Sequence, residues 1–596
     1  MTSLSASLTV SIRLSNRPFR PCPPPSYQRD STVPPASARR LAAGEATGRG
    51  RQERTVLPLA RLTRRRLLEL PALTGGAVLL GGPAASAPDA RRPETLGPVV
   101  LEPDDPRYTE LTTRGYNGRF TGSPDRVHLV GSAEQVVRAV EEAARDRARV
   151  AVRSGGHCFE NFVDDPAVRV LVDVSEMTAV TYDPKRRVFV VEAGATLGRV
   201  YRTLYLGWGV TLPGGGCPAV GVGGHVAGGG YGALSRRYGL VVDHLHGVEV
   251  VVTDPSGRAR LVTATRESTG AERELWWAHT GGGGGNFGVV TRYLFRTPGA
   301  TGGPGELLPR PPGAVRSTSL SWQWRDLDRP AFTRLLRAHG DWHRRHAGSG
   351  SPYGEMSSGL TLGHRANGTI TVDAALDAAH PHAQRLLDAF AAGLTAAAGV
   401  PHTASSATTP WLKSVLGGVQ WPGGARFKST STLLREPWDD RQTGVLHDHL
   451  NRGGPEFATA AVYLTFLGGR IAAVPPDATA MPHRDALFSA VHEALWGEEE
   501  QTERQLAWVR NLYADLHADT GGVPVPNEAN SGAYVNYPDT DLADPLRNTS
   551  GVPWSTLYHR DGYARLSRVK ERWDPLDLFH HALSVRPPGA EPSSSS

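Results

Sequence analysis

"LPGGGCPAVGVGGHVAGGGYG", residues 212–232, sets ten glycines around one cysteine and one histidine. Inside a regular element glycine costs roughly 0.5–1 kcal/mol against alanine, so a chain concentrates it where backbone must press against something. A flexible linker would mix Gly with Ser. Here Val220, Val222, Val226 and Tyr231 punctuate the run and serine is missing from it. The stretch therefore reads as a buried loop against a flat or phosphorylated group. Two more loops repeat the pattern, "RSGGH" at 153–157 and "GGGGGNFG" at 281–288.

At 596 residues, with 39% hydrophobic and 21% charged residues, the chain has room for two or more domains with sizeable cores. Its formal charge of +6 is unevenly spread: residues 1–87 carry 13 Arg, no Lys and 4 acids, a balance of +9, which leaves −3 for the rest. Basicity belongs to the leader, so nucleic acid is not an expected partner. In that leader "RLTRRRLLEL", residues 61–70, precedes "PALTGGAVLLGGPAASA", which ends in the A-x-A pattern Ala85-Ser86-Ala87. The apolar part is too short and too Gly-rich to span a membrane stably. It reads as a twin-arginine-type signal, implying the twin-arginine machinery as a partner and export as the destination. Of three cysteines, Cys22 lies in the leader; Cys158 and Cys217 remain, too few for a disulfide-stapled secreted scaffold. A single Cys158–Cys217 bridge competes with a chemical role for Cys217.

The organisation expected along the chain is a leader over 1–87, an N-terminal extension over 88–121, a first domain over 122–299 and a second over 300–500. A C-terminal segment over 501–585 returns to the first domain, and 586–596 form a tail. In the first domain "GSAEQVVRAVEEAARDRARV" has helical periodicity, with Ser132 and Gln135 spaced as a capping box. "RVAVRSGGH", "VRVLVDVSEM" and "RRVFVVEAGAT" read as strands, and "HGVEVVVTDPSGRARLVTAT" as a hairpin. Strand-like "GTITVDAAL" and "TAAVYLTFLGGRIAAV" alternate with helical "PAFTRLLRAHGDWHRRHAG" and "PHAQRLLDAFAAGLTAAA" in the second domain. Helical "YARLSRVKERWDPLDLF" closes the chain, with Lys570 and Arg572 expected as solvated charges.

The familiar nucleotide loops do not account for the glycines. No G-x-x-x-x-G-K-[ST] occurs in them, and Gly221-Val222-Gly223 has Val226 where a dinucleotide fingerprint needs a small residue. Instead, "RSGGHCFEN", "GGGCPAVGVGGHVAGGGYGALSRRYGL", "GGGGGNFGVVT" and "YVNYPD", in that order, resemble the berberine-bridge-enzyme-like oxidases of the vanillyl-alcohol-oxidase superfamily, in the bacterial branch acting on sugars and secondary metabolites. The resemblance runs from about residue 110 to about 585. It implies an α+β fold: a two-lobed PCMH-type FAD-binding domain followed by a second α/β substrate domain built on an antiparallel sheet.

It also implies FAD bonded twice, through His157 at the 8α-methyl and Cys217 at C6. A neutral imidazole and a thiolate are suitable nucleophiles toward an electron-poor ring. By the same resemblance Ser154, Gly155 and Gly156, with Arg153 nearby, approach the cofactor from one side, and Gly216, Gly221, Gly223, Gly224, Gly228 and Gly229 from the other. Gly288 and Val290 line the adenine side. Two departures stand out: Cys158-Phe159 replaces Ser-Tyr after the anchoring histidine, and Gly562 stands where relatives have Asn.

The implied activity is that of an FAD-dependent oxidase. It takes a hydride from an alcohol carbon of a sugar, oligosaccharide or glycosylated natural product, and the flavin is reoxidised by dioxygen to give hydrogen peroxide. Tyr537, with Tyr534 in reserve, is the candidate base; read as a strand, the segment would put the two on opposite faces. A tyrosine near pKa 10 needs a neighbour that lowers it to serve at neutral pH. His492 is the candidate polar partner from the substrate domain, and Asn536 a positioning residue. The rival readings are a dehydrogenase using another acceptor, an oxidative cyclase or desaturase, and an exported carbohydrate- or metal-binding protein. A metal at His157-Cys158 lacks a third and fourth ligand at suitable spacing, so no metal site is expected.

Overall fold

The computed structural model describes residues 96–417 and 424–589. The stretch read as a leader and signal, Cys22 and the end of the chain lie outside the described residues. Three sheets organise the rest. The first has four strands in the order Val99–Leu101, Arg126–Leu129, Val170–Asp173, Val150–Arg153, antiparallel at its first pair and parallel thereafter. The strand Val99–Leu101 thus joins this sheet from within the stretch read as an extension. The second sheet is antiparallel, in the order Val180–Asp183, Val188–Glu192, Val289–Phe295, Leu245–Thr253, Ala259–Thr265.

The helix Ala133–Arg145 forms where its periodicity places it, and it packs on strands Leu245–Thr253 and Ala259–Thr265 of the second sheet. Ser132 Oγ accepts from the Gln135 N–H, and Gln135 Oε1 accepts from the N–H of Gly131, so the cap reaches back one residue further than the capping-box pattern. Val136, Ala139, Val140 and Ala143 are its buried stripe, continuous with the sheet core.

The second half is built on an eight-stranded antiparallel sheet in the order Thr403–Pro410, Ala314–Gln323, Thr369–Asp377, Ser357–Gly363, Ala461–Phe466, Phe488–Trp496, Arg426–Leu434, Asn530–Gly532. The helices Arg329–Arg345, Ala383–Ala398, Asp440–Asn451 and Thr502–Leu516 share one core with one face of this sheet. The C-terminal part returns to the first half, where helix Tyr563–Trp573 packs on helix Gly270–Ala278. Lys570 on that helix is fully buried, against the solvated charge expected. Its Nζ lies 2.6 Å from Asp574 Oδ2 and donates to the carbonyls of Asn286 and Phe579 at 3.0 and 2.6 Å, tying the C-terminus to the third glycine loop. Among the described residues no helix is long and apolar enough to cross a membrane.

Candidate active site

The three glycine loops meet around one cavity of about 510 Å³, lined on its other side by the eight-stranded sheet and residues 534–538. Loops 153–157 and 214–224 are in direct backbone contact. A Cβ added to Gly221 would lie 2.3 Å from the Gly155 nitrogen and 2.4 Å from Ser154 Oγ, and one on Gly155 would lie 2.4 Å from the Gly221 nitrogen. Only glycine permits that approach. A Cβ on Gly224 would meet nothing within 4 Å, so its backbone faces open space.

Arg153, Ser154, Gly155, Gly156, His157, Gly216, Cys217, Gly221, Gly223, Gly224, Gly288, Val290, Tyr534, Asn536 and Tyr537 all line this cavity. Gly228 and Gly229 do not: Gly228 is pressed against the Asn536 amide and Gly229 against Met481, so these two serve packing between the halves. The Arg153 guanidinium binds Asp173 Oδ2 at 3.0 and 2.8 Å, while its buried Nη1 has no partner among the described residues. A spare buried cationic donor beside glycine backbone fits a diphosphate, and the bare glycine walls fit a flat ring, so the residues present suit FAD.

His157 stacks on Tyr116 with ring centroids 4.1 Å apart. Burial pulls its pKa down to about 4, so the imidazole is neutral, the nucleophilic form. Cys217 rides on a loop held from two sides: the Tyr201 hydroxyl donates to the Gly215 carbonyl at 2.7 Å, and the Gly215 N–H donates to His225 Nε2 at 3.2 Å. Both cysteines are free, so no bridge joins them. Cys158 also lines the cavity, but burial pushes its thiol up to about 12, which keeps it protonated and unreactive.

The "AYVNYPD" segment is a turn, not the strand expected, closed by the Tyr537 N–H donating to the Tyr534 carbonyl at 2.9 Å. The turn brings both tyrosines to the same cavity, their rings 5.2 Å apart, but with different duties. Tyr534 Oη accepts from the Gly230 N–H and from Asn536 Nδ2, each at 3.1 Å, and so braces the glycine loop. Asn536 Nδ2 also donates to the His225 carbonyl at 3.0 Å. Tyr537 Oη lies 3.1 Å from Tyr231 Oη, itself 2.9 Å from Ser489 Oγ. Burial, with Tyr231 adding to it, pushes Tyr537 well above the ordinary tyrosine value, the opposite of what a base at neutral pH needs.

The sheet supplies the rest. On strand Phe488–Trp496 the residues Val491 and Glu493 line the cavity, and Ser489 reaches Tyr231. His492 therefore projects from the other pleat; it is fully buried against Tyr513 on the helix side and does not reach the cavity, which removes it as the polar partner. Its neighbour Glu493, which the sequence reading did not single out, takes that place. Burial raises its carboxyl to about 7, although the Ser429 hydroxyl donates to it. Tyr463 and Thr465 on the adjacent strand and Tyr116 complete this wall; His580 and His581 line the same cavity from the C-terminal segment. The signal for Glu493 was only a carboxylate inside an apolar strand pattern.

Residues 124–261 match the family described as FAD binding domain, and residues 533–586 the family described as berberine and berberine like. The chain is 49% identical over 544 residues to the aclacinomycin-N/aclacinomycin-A oxidase of Streptomyces galilaeus, spanning 89% of this chain and 99% of that protein. It is 30% identical to the hexose oxidase of Chondrus crispus, over 81% of this chain and 93% of that one. The solved structure of a glycopeptide hexose oxidase complexed with teicoplanin superposes with a TM-score of 0.80 at 47% identity, covering 83% of this chain and all of that one. The chain belongs to the berberine-bridge-enzyme-like family of FAD-linked oxidoreductases.

Proposed function

We propose that this protein is an exported oxidase. It takes a hydride from an alcohol carbon of a sugar, oligosaccharide or glycosylated natural product and returns the electrons to dioxygen as hydrogen peroxide, with FAD bonded through His157 and Cys217. When bound, the flavin supplies the two-electron acceptor. The names of the relatives, an aclacinomycin oxidase and two hexose oxidases, support the substrate class. The observation that carries the reading is that one cavity holds both prospective anchors together with Tyr537 and Glu493.

The neutral His157 and the loop-held Cys217 fix the ring from the first half of the chain. From the second half, Glu493, with a carboxyl near 7, is suited to accept the hydroxyl proton at neutral pH. Tyr537 stays protonated and orients the substrate hydroxyl through its own. Buried apolar and aromatic side chains around them keep water from the transfer. Export rests on Thr63–Leu68 and the A-x-A pattern that follows. The test is peroxide release from purified protein with a panel of free sugars and glycosylated natural products. Turnover with an artificial electron acceptor but none with oxygen would make it a dehydrogenase. No turnover under either condition would overturn the reading.

A further inference from the structure

Outside the cavity, a buried cluster of charges joins the segment after His157, the segment after Tyr537 and the strand Arg426–Leu434. Lys428 stands on strand Arg426–Leu434 with its side chain 2% exposed. Its Nζ lies 2.9 Å from Glu160 Oε1, 2.5 Å from Asp539 Oδ1 and 3.4 Å from Asp541 Oδ2. Glu160 follows His157 by three residues, and Asp539 and Asp541 follow Tyr537 by two and four. Arg510 grips Asp541 through both carboxylate oxygens at 2.8 and 2.9 Å. The Asp539 N–H donates to Tyr558 Oη at 2.9 Å, and the Asp541 N–H to Asp539 Oδ1 at 3.0 Å. One residue along from Lys428, on the opposite pleat, Ser429 holds the Glu493 carboxylate.

A buried ion cluster is a poor way to gain stability, because desolvation of the charges offsets their attraction; an apolar side chain would fill the same volume at least as well. What an ammonium with three carboxylate partners does supply is fixed distance. The segments it joins need that, since residues 154–167 and 533–538 lie outside the helices and strands and have no ladder register to hold them. Asn117 makes a second, neutral link beside it, donating to the carbonyls of Phe159 and Phe427 at 2.8 and 3.0 Å and accepting from the Phe427 N–H at 3.2 Å. Burial opposes the charge on Lys428, but the carboxylates outweigh it, so the ammonium persists through the working pH range.

We infer that Lys428 is a positioning residue: its ammonium sets the spacing between the His157 loop, the Tyr537 turn and the strand that presents Glu493 through Ser429. The inference rests on Tyr537 and Glu493 acting in the site. Its test uses the full-length, flavin-loaded protein with Lys428→Arg, and with the neutralised triple variant Lys428→Met, Glu160→Gln, Asp539→Asn, which leaves fewer buried charges unpaired if the single change fails to fold. Both are expected to lower kcat about tenfold while KM moves less than threefold. Both should also speed amide exchange at least tenfold in residues 157–164 and 534–541, with residues 461–466 unchanged. Wild-type kcat and wild-type exchange in the triple variant would overturn the inference. Tyr537→Phe and Glu493→Gln are measured alongside. Wild-type turnover in both of those would instead sink the site reading beneath it, a separate failure.

Discussion

Glu493→Gln should do two opposite things at once. The carboxyl is raised from 4.5 to about 7 by burial, so the folded protein holds this proton more tightly than the unfolded chain does. At 1.36 kcal/mol per tenfold, the difference is about 3 kcal/mol. For an acid with a raised folded-state pKa, stability is full below about 4.5, declines as pH rises, and has lost the whole amount above about 7. Glutamine fills the same space, keeps a partner for Ser429, and has no proton to lose. Thermal unfolding should therefore show the variant more stable than the parent at pH 8 by up to about 3 kcal/mol, and indistinguishable from it near pH 4.5. Turnover should move the other way. The parent's kcat/KM should fall on the acid side with a midpoint near 7. The variant should lose on the order of a hundredfold at pH 8, as expected on removing a general base, and lose the acid limb with it. A variant that kept kcat/KM within threefold, with the acid limb still near 7, would refute the assignment of Glu493 as proton acceptor.

Three further outcomes follow from particular contacts. His492→Gln, on the pleat away from the cavity, should leave kcat within about twofold; a tenfold loss would return His492 to the chemistry. Gly221→Ala drives a methyl into Ser154 and Gly155 and should destabilise the protein by about 1–3 kcal/mol and lower the flavin-to-protein ratio read from absorbance; full flavin content would contradict the packing of the two loops. Arg147, exposed past the end of helix Ala133–Arg145 with φ 49°, occupies the left-handed region that favours glycine. Arg147→Gly should raise stability by about 1 kcal/mol, and a loss would contradict the strain argument.

Much of the architecture could be read from period and punctuation. The helix over 133–145, the hairpin over 245–265 and the strands flanking the glycine loops follow from local pattern. The two prospective anchors, sixty positions apart, could be paired because each sits in a glycine loop that makes sense only against a ligand. What could not be read was parity. On "FSAVHEALW" a one-residue slip exchanges His492 for Glu493 at the cavity, and because both faces of that strand are buried, alternation gave no polar side to choose. The tyrosine segment failed for a related reason: strand spacing and a tight turn predict opposite outcomes for residues three apart, and a three-residue strand ending at Gly532 decides for the turn. The burial of Lys428 depends on Glu160, Asp539 and Asp541 from distant segments, which no local window contains; Lys570 has Asp574 four residues on, but the Asn286 carbonyl that completes its shell comes from the third glycine loop.

The central claim is that the flavin is bonded to the chain at His157 and Cys217. It is tested by acid precipitation of the purified protein, washing of the pellet, and comparison of flavin absorbance in pellet and supernatant. The account predicts a yellow pellet for the parent and for His157→Ala and Cys217→Ala singly, with release to the supernatant only when both are changed. Yellow supernatant from the parent would contradict it.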